Sequence, residues 1–392
     1  MKKVLALVLS VLMVLSLAAC GGEKAEETKA PETKQEEKEE EETKASGTEA
    51  AETKASESQA EETKAPEGGA ATGGGEVIKG EGLKIGVLIR TFSDTYTTTV
   101  RTFMTQYLDE AGCEYEVMDA NDSQATQNEQ LESFLSKGVD GIIVQTVNVS
   151  ASADILAKCK DAGVPVLFFN HQPDDLSIIA AEDSTIFIGT DSPEAGYMQA
   201  DLFMQFWDEE KYDRNKDGVV QCVVFQGSPE SQEAFDRSQF CIEGAEDEGY
   251  KFEKLEDNYL CNWDSTLAQE AMTAFLGTHE DEIEVVFCNN DSMAEGVVAA
   301  LNAVGYNTGV EGDPEVLVFG VDATDAGVAL IDAGKMQGTV KQDGDAMAKT
   351  NVQIMIRLCN GMTKAEAAAD YGMEIFEGDQ ASIRIPYAAY TK

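Results

Sequence analysis

The chain predicts an α/β fold made of two doubly wound parallel-sheet lobes, and three observations carry that prediction. Short apolar strands alternate with helix-period segments from Lys84 onward, and the pattern restarts after Gly189. The segment that follows the first 82 residues is about 310 residues long, more than one core usually holds. Polar residues cluster just past the ends of the apolar strands, where open α/β sheets bind ligands.

The elements follow in order. Lys84–Ile89 is an apolar strand, and Tyr96–Ala111 has helical spacing. Glu114–Met118, Gly141–Gln145 and Val166–Phe169 read as further strands, with helices at Thr126–Lys137 and Ala151–Ala162 between them. Ile186–Gly189 closes the first series. The second series has a helix at Ser192–Trp207, a strand at Val219–Gln226 and helices at Ser231–Glu248 and Thr266–Leu276. It continues with strand Glu284–Cys288, helix Asp291–Val304 and strand Val316–Val321.

The segment before the fold sets the cellular context. Lys2 and Lys3 precede an apolar run from Val4 to Leu17, which ends in Leu17-Ala18-Ala19-Cys20. This is the layout of a secretory signal. With Cys20 at the cut, residues 1–20 resemble a bacterial lipobox, which implies cleavage before Cys20 and lipidation of its thiol. The run is too short for a membrane span, so the protein is expected outside the plasma membrane and tethered to it. Residues 21–82 read as a linker. Glu-Thr-Lys-Ala recurs at Glu27, Glu42, Glu52 and Glu62, and residues 23–68 hold 16 Glu and 7 Lys with no aromatic or large aliphatic residue. Such a segment cannot bury enough surface to offset its ordering entropy and is expected to be disordered.

Charge and cysteine content narrow the function. The chain carries −44; residues 1–22 contribute +2 and residues 23–68 contribute −9, which leaves −37 for the remainder. That excess repels nucleic acid and anionic lipid, and it suits a neutral or cationic ligand or bound cations. Seven cysteines remain after Cys20, with no CxxC and only two His in the chain, so a zinc site is not expected.

Asp213-Arg214-Asn215-Lys216-Asp217-Gly218-Val219-Val220-Gln221 matches the front of an EF-hand loop. Side-chain oxygens fall at positions 1, 3, 5 and 9, the turn glycine at 6 and a carbonyl position at 7. Position 12, which needs a bidentate Glu, is Val224. The residues alone allow either a solvated acidic turn or a calcium site completed by a distant carboxylate.

The strand ends carry Arg90, Asp94 and Tyr96; Asn170; Ser231, Glu233 and Arg237; Trp263; Asn290; Asp322; and Gln342. Carboxylates and amides bond hydroxyls in fixed directions, and aromatic faces stack on the C–H side of a sugar ring. Asn290 and Asp322 could each be helix caps instead, but agreement among seven strand ends is harder to explain by capping.

Several segments, in order, resemble the bacterial galactose/glucose-binding proteins, within the type I periplasmic sugar-binding proteins that serve ABC transporters. They include Val164-Pro165-Val166-Leu167-Phe168-Phe169-Asn170, the Asp213–Gly218 loop, Asn289-Asn290-Asp291-Ser292-Met293-Ala294 and Phe319-Gly320-Val321-Asp322-Ala323. The resemblance spans about residues 83–392. It implies a monosaccharide ligand, galactose or glucose first, and a permease partner, with no chemistry on the ligand. It implies that Glu284 closes a structural Ca2+ site formed by Asp213, Asn215, Asp217, the Val219 carbonyl and Gln221. It implies sugar contacts from Asp94, Asn170, Arg237, Trp263, Asn290 and Asp322. Tyr96, Arg90, Ser231, Glu233 and Gln342 stand where the family has other residues, so the identity of the sugar is open.

The expected lobes are residues 83–189 with 344–382, and 190–343 with 383–392. The chain is expected to cross between them near Gly189, near Gln342 and Asp343, and near Arg384. Three rivals stand beside transport. A glycosidase using Asp94 and Asp322 would need one raised and one ionised carboxyl. A sugar-responsive repressor would need a basic DNA-binding segment. A sensor would present another aldose or a glycoside to a chemoreceptor or membrane histidine kinase.

Overall fold

The computed structural model describes residues 76–392. The signal segment, Cys20 and the acidic repeats lie outside the described residues. The strands, in chain order, are β1 (Lys84–Ile89), β2 (Glu114–Asp119), β3 (Gly141–Val144), β4 (Val166–Phe169), β5 (Thr185–Gly189), β6 (Val220–Gln226), β7 (Phe252–Lys254), β8 (Tyr259–Leu260), β9 (Val285–Cys288), β10 (Leu317–Asp322), β11 (Gly338–Gln342), β12 (Ser382–Arg384) and β13 (Tyr387–Thr391).

They form two sheets. The first has the order β12-β5-β4-β3-β1-β2 and is parallel throughout. The second has the order β13-β11-β10-β9-β6-β7, with β8 also paired to β6. It is parallel except for β13, which runs antiparallel to β11. Strands β3, β4 and β9 are buried at every position, the pattern of a sheet covered on both faces. The pleat sends Ile85, Val87 and Ile89 of β1 to one face, against Val100, Met104 and Leu108, while Leu88 packs on the other beside Phe134 and Ile142. In the second lobe Val223 and Phe225 serve one core, and Cys222 and Val224 the other.

Helices cover each sheet, and their ends follow local chemistry. Those at Thr95–Ala111, Gln124–Lys137 and Ser152–Ala162 stop at Gly112, Gly138 and Gly163, each with φ between 71° and 75°. Several predicted bounds shift where a residue read as helical caps instead: Ser231 caps the helix Gln232–Asp247. Elements not predicted include β7, β8, helix Asp325–Asp332 and helix Gly344–Cys359. The last packs on helix Thr95–Ala111 and places Arg357 fully inside the first lobe.

The chain passes between lobes after β5, after β11 and between β12 and β13. One boundary differs from the sequence reading. Ile383 and Arg384 pair with Ile188 and Gly189 and belong to the first sheet, so the last crossing falls at Ile385-Pro386.

Candidate functional site

The carboxyl ends of both sheets face a cleft between the lobes. Its lining includes Asp94, Tyr96 and Asn170 from the first lobe and Ser231, Glu233, Arg237, Trp263, Asn290, Asp322 and Gln342 from the second. The cleft has about 370 Å3 of atom-free space, its mouth included.

Of the residues singled out at the strand ends, Arg90 alone is absent from this lining. Its guanidinium turns to Asp122 in an ion pair of 3.0 Å. Thr97, Gln145 and His171 line the cleft although the sequence reading did not select them. Gln145 follows β3 directly, so its place past a strand end was the available signal.

Backbone geometry aims several of these groups. Asn170, Trp263 and Asp322 all have positive φ, at 62°, 66° and 124°, as does Asn262 at 48°. Such strain in non-glycine residues clusters where surrounding structure imposes it. Gly227 lets Trp263 sit against the backbone, because a Cβ there would lie 2.3 Å from the indole ring.

Hydrogen bonds fix which atoms remain for a ligand. Asp94 caps its helix, with one oxygen accepting from the Thr97 N–H at 2.6 Å. Gln145 donates to the Asn170 side-chain oxygen at 2.7 Å. The Asn290 side-chain oxygen accepts from the Met293 N–H at 3.0 Å. Asn290 is thus both a cap and a lining residue, and among the described residues its amide NH2 has no partner, nor does that of Asn170. Arg237 is held by the Asn289 carbonyl at 2.8 Å, the Gln342 side-chain oxygen at 3.1 Å and the Tyr387 hydroxyl at 2.8 Å. Among the described residues the Tyr96 hydroxyl and the Trp263 indole N–H are buried without a protein partner. Buried polar groups are partnered by protein or ordered water in most folded proteins, so both groups are open to a ligand or to water in the cleft.

Electrostatics follows from burial. Asp322 is 5% exposed, and burial pushes its carboxyl well above the usual range, opposed by Arg237 and reinforced by Asp291 and Asp94. Burial opposes the Arg237 charge, but Tyr387 and Asp322 outweigh it and raise its basicity. Burial, with help from Arg90, lowers His171 to about 3, so its ring is neutral near pH 7.

The lobes also touch across the cleft. The Gln172 N–H, just past β4, donates to Glu233 of the second lobe at 2.9 Å. Arg384, at the end of β12, donates to the Gln172 side chain at 2.9 Å and to the Thr190 carbonyl at 2.7 Å.

Two open-ended lobes, three crossings and a polar cleft with an aromatic wall are the features of a solute receptor, and residues 85–363 match the periplasmic binding protein domain family. The chain belongs to that family. It is 31% identical over 313 residues to the D-galactose/methyl-galactoside binding periplasmic protein of Haemophilus influenzae, covering 79% of this chain and 89% of the relative. It is 28% identical to a putative rhizopine-binding protein of Rhizobium meliloti, covering 71% and 84%. Among solved structures it is similar to an ABC transporter solute binding protein from Bacillus halodurans with bound myo-inositol. That match has a TM-score of 0.64 and 25% identity, covering 80% of this chain and 96% of the other. Like these relatives, this periplasmic binding protein is not an enzyme. Among the described residues no helix is long and apolar enough to cross a membrane.

The acidic loop of the second lobe lies apart from the cleft. Asp213 and Glu284 are buried beside each other's segments. Glu284 accepts from the Arg214 N–H at 2.6 Å and the Gln221 N–H at 3.0 Å. Burial raises the Glu284 pKa; these N–H groups oppose the shift, while Asp213 and Asp217 add to it. Among the described residues the Gln221 side-chain oxygen is buried without a partner. Among the described residues no three acidic, His or Cys side chains converge as a ready metal cluster. A cation here needs the amide and carbonyl oxygens as well. The Gln221 amide nitrogen faces Asp217, and a half-turn would present its oxygen; the Asn215 amide spans Asp217, donating to its carboxylate and accepting from its N–H at 3.0 Å.

Proposed function

We propose that the chain captures a monosaccharide in the interlobe cleft, galactose or glucose first, and delivers it to an ABC permease. The observation that carries this reading is the set of unbonded directional groups around one aromatic wall. Trp263 and Tyr96 offer faces and donors, Asn170 and Asn290 offer NH2 groups, and Asp94 and Asp322 offer carboxylate oxygens. Hydroxyls both donate and accept, so a polyhydroxylated ring can satisfy all of them at once. The names of the relatives support the same class. Closure is a hinge motion at the three crossings, and the Gln172–Glu233 bond is a contact between the lobes in this structure.

The test is thermal unfolding of the full chain against a panel of monosaccharides. A ligand at about 100 times its dissociation constant stabilises the fold by about 2.7 kcal/mol. A rise in melting temperature with galactose or glucose is the expected result; no response to any sugar would sink the assignment.

The acidic loop is proposed to hold a structural Ca2+ through Asp213, Asn215, Asp217, the Val219 carbonyl, Gln221 and Glu284. Support comes from the unpartnered Gln221 oxygen and from three carboxylates without a cationic partner among the described residues. The ion would neutralise them and tie the loop to the segment before β9. Chelation is expected to lower the melting temperature of the parent protein and leave Glu284→Gln unmoved. Equal melting curves for the parent with millimolar calcium and with chelator would rule the ion out. The lipid anchor at Cys20 belongs to the same proposal and places the receptor on the outer face of the plasma membrane.

A further inference from the structure

Asn290 and Asp322 reach the cleft from two different strands, and one carboxylate outside the cleft ties their segments together. Asp291 follows Asn290 directly, is fully buried and does not line the cleft. One of its oxygens accepts from the Thr324 N–H at 2.8 Å and from the Thr324 hydroxyl at 3.3 Å. The other accepts from the Thr339 hydroxyl of β11 at 2.6 Å. Two glycines leave room for the group. A Cβ at Gly320 would lie 2.3 Å from Oδ1, and a Cβ at Gly327 would lie 2.3 Å from Oδ2. Burial raises the Asp291 pKa to about 7, against the hydrogen bonds from Thr339 and Thr324. A carboxylate in such a place depends on its donors, and they bind it to the turn after β10 and to β11.

Asp322 needs an anchor of this kind. Among the described residues its carboxyl has no hydrogen-bond partner, so its direction comes from the backbone. That backbone is strained, with φ of 124° at Asp322 and 54° at Ala323. Strain of this sort persists only where the surrounding structure imposes it. The next residue is Thr324, the one that Asp291 holds. The Thr324 hydroxyl also accepts from the Gly327 N–H at 3.1 Å and caps helix Asp325–Asp332. We infer that Asp291 is a positioning residue for the ligand: through Thr324 it fixes the turn that aims Asp322 and sets that turn's place relative to Asn290. The inference rests on the sugar-capture reading and adds to it a residue that the ligand does not touch.

Calorimetric titration of the full chain with galactose and with glucose, well below the melting temperature, tests it. Asp291→Ala is expected to weaken binding about tenfold or more. Asp291→Asn, which keeps an acceptor for the Thr324 N–H, is expected to recover most of that loss. Gly327→Ala crowds the carboxylate without removing it and is expected to weaken binding as well, so the contact stays testable if Asp291→Ala does not fold. Phe134→Leu, in the core of the first lobe, is expected to melt lower yet bind as the parent does, which separates positioning from stability. Amide exchange gives a readout without ligand: Thr324 is expected to exchange faster, relative to β9 and β10, in Asp291→Ala and not in Phe134→Leu. Parent-like affinity in Asp291→Ala or Gly327→Ala would overturn the inference and leave sugar capture standing. Unchanged Thr324 exchange in Asp291→Ala would overturn it whichever sugar binds. Binding of neither sugar by the parent would sink the capture reading alone, and Thr324 exchange would still decide whether Asp291 holds the turn.

Discussion

Arg237→Met is expected to weaken ligand binding by a hundredfold or more, about 3 kcal/mol. The guanidinium is 3% exposed and joins three elements: the Asn289 carbonyl past β9, Gln342 at the end of β11 and the Tyr387 hydroxyl of β13. Two of these flank a crossing between the lobes. Methionine keeps much of the volume but leaves three buried acceptors without their donor, each costing roughly 1–3 kcal/mol. It also removes the cation that opposes the upward shift of Asp322, so the carboxyl would hold its proton more firmly. Tyr387→Phe removes only one of the three partners, and a loss near 1 kcal/mol is expected. Titration calorimetry well below the melting temperature separates the loss of affinity from the loss of stability. Parent-like affinity in Arg237→Met would show that the guanidinium is structural and has no bearing on the ligand.

The contrast between Arg237 and Arg90 shows where sequence reasoning reached its limit. Both arginines stand near strand ends, and that position makes both of them candidates. The strands themselves were legible because runs such as Gly141–Val144 and Val285–Cys288 are apolar on both faces. Position past a strand end then brings a residue to the cleft rim, but it does not say which way a long side chain turns. Arg90 turns to Asp122, in the loop after β2, and no local pattern announces that pair. Gln145 shows the opposite error. The sequence pattern runs a strand through to it, while its amide sits between Asn170 and Thr97 and orients both. The short edge strand β7 has no apolar run, since Glu253 and Lys254 are exposed. Strand β13 reverses direction within a sheet that otherwise runs parallel, and its Tyr387-Ala388-Ala389-Tyr390-Thr391 carries no turn signal to say so.

Stability of the second lobe depends on a close approach of two helices, and two glycines make that testable with opposite signs. Gly296 lies in helix Asp291–Ala303, which packs on helix Ser265–His279. A Cβ at Gly296 would fall 2.0 Å from the Ser265 carbonyl oxygen and 2.9 Å from the Gln269 nitrogen. Both are backbone atoms, so no rotamer change relieves the overlap and the helices must separate. Alanine gains up to about 1 kcal/mol of helix propensity over glycine, while overpacking costs roughly 1–3 kcal/mol or more. With rigid backbone on the other side the steric cost wins, and Gly296→Ala is expected to destabilise the protein. Gly277 lies in helix Ser265–His279, and a Cβ there meets nothing within 4 Å. Only the propensity gain remains, so Gly277→Ala is expected to stabilise by about 0.5–1 kcal/mol. Thermal melts of the two variants would move in opposite directions from the parent; a shared direction would refute the packing argument. The same displacement has a functional consequence. Ser265 follows Trp263 and Asp264, the residue that caps this helix, so pushing Ser265 away shifts the aromatic wall of the cleft. Gly296→Ala is therefore expected to lose affinity as well as stability, although position 296 does not line the cleft, whereas Gly277→Ala keeps parent affinity.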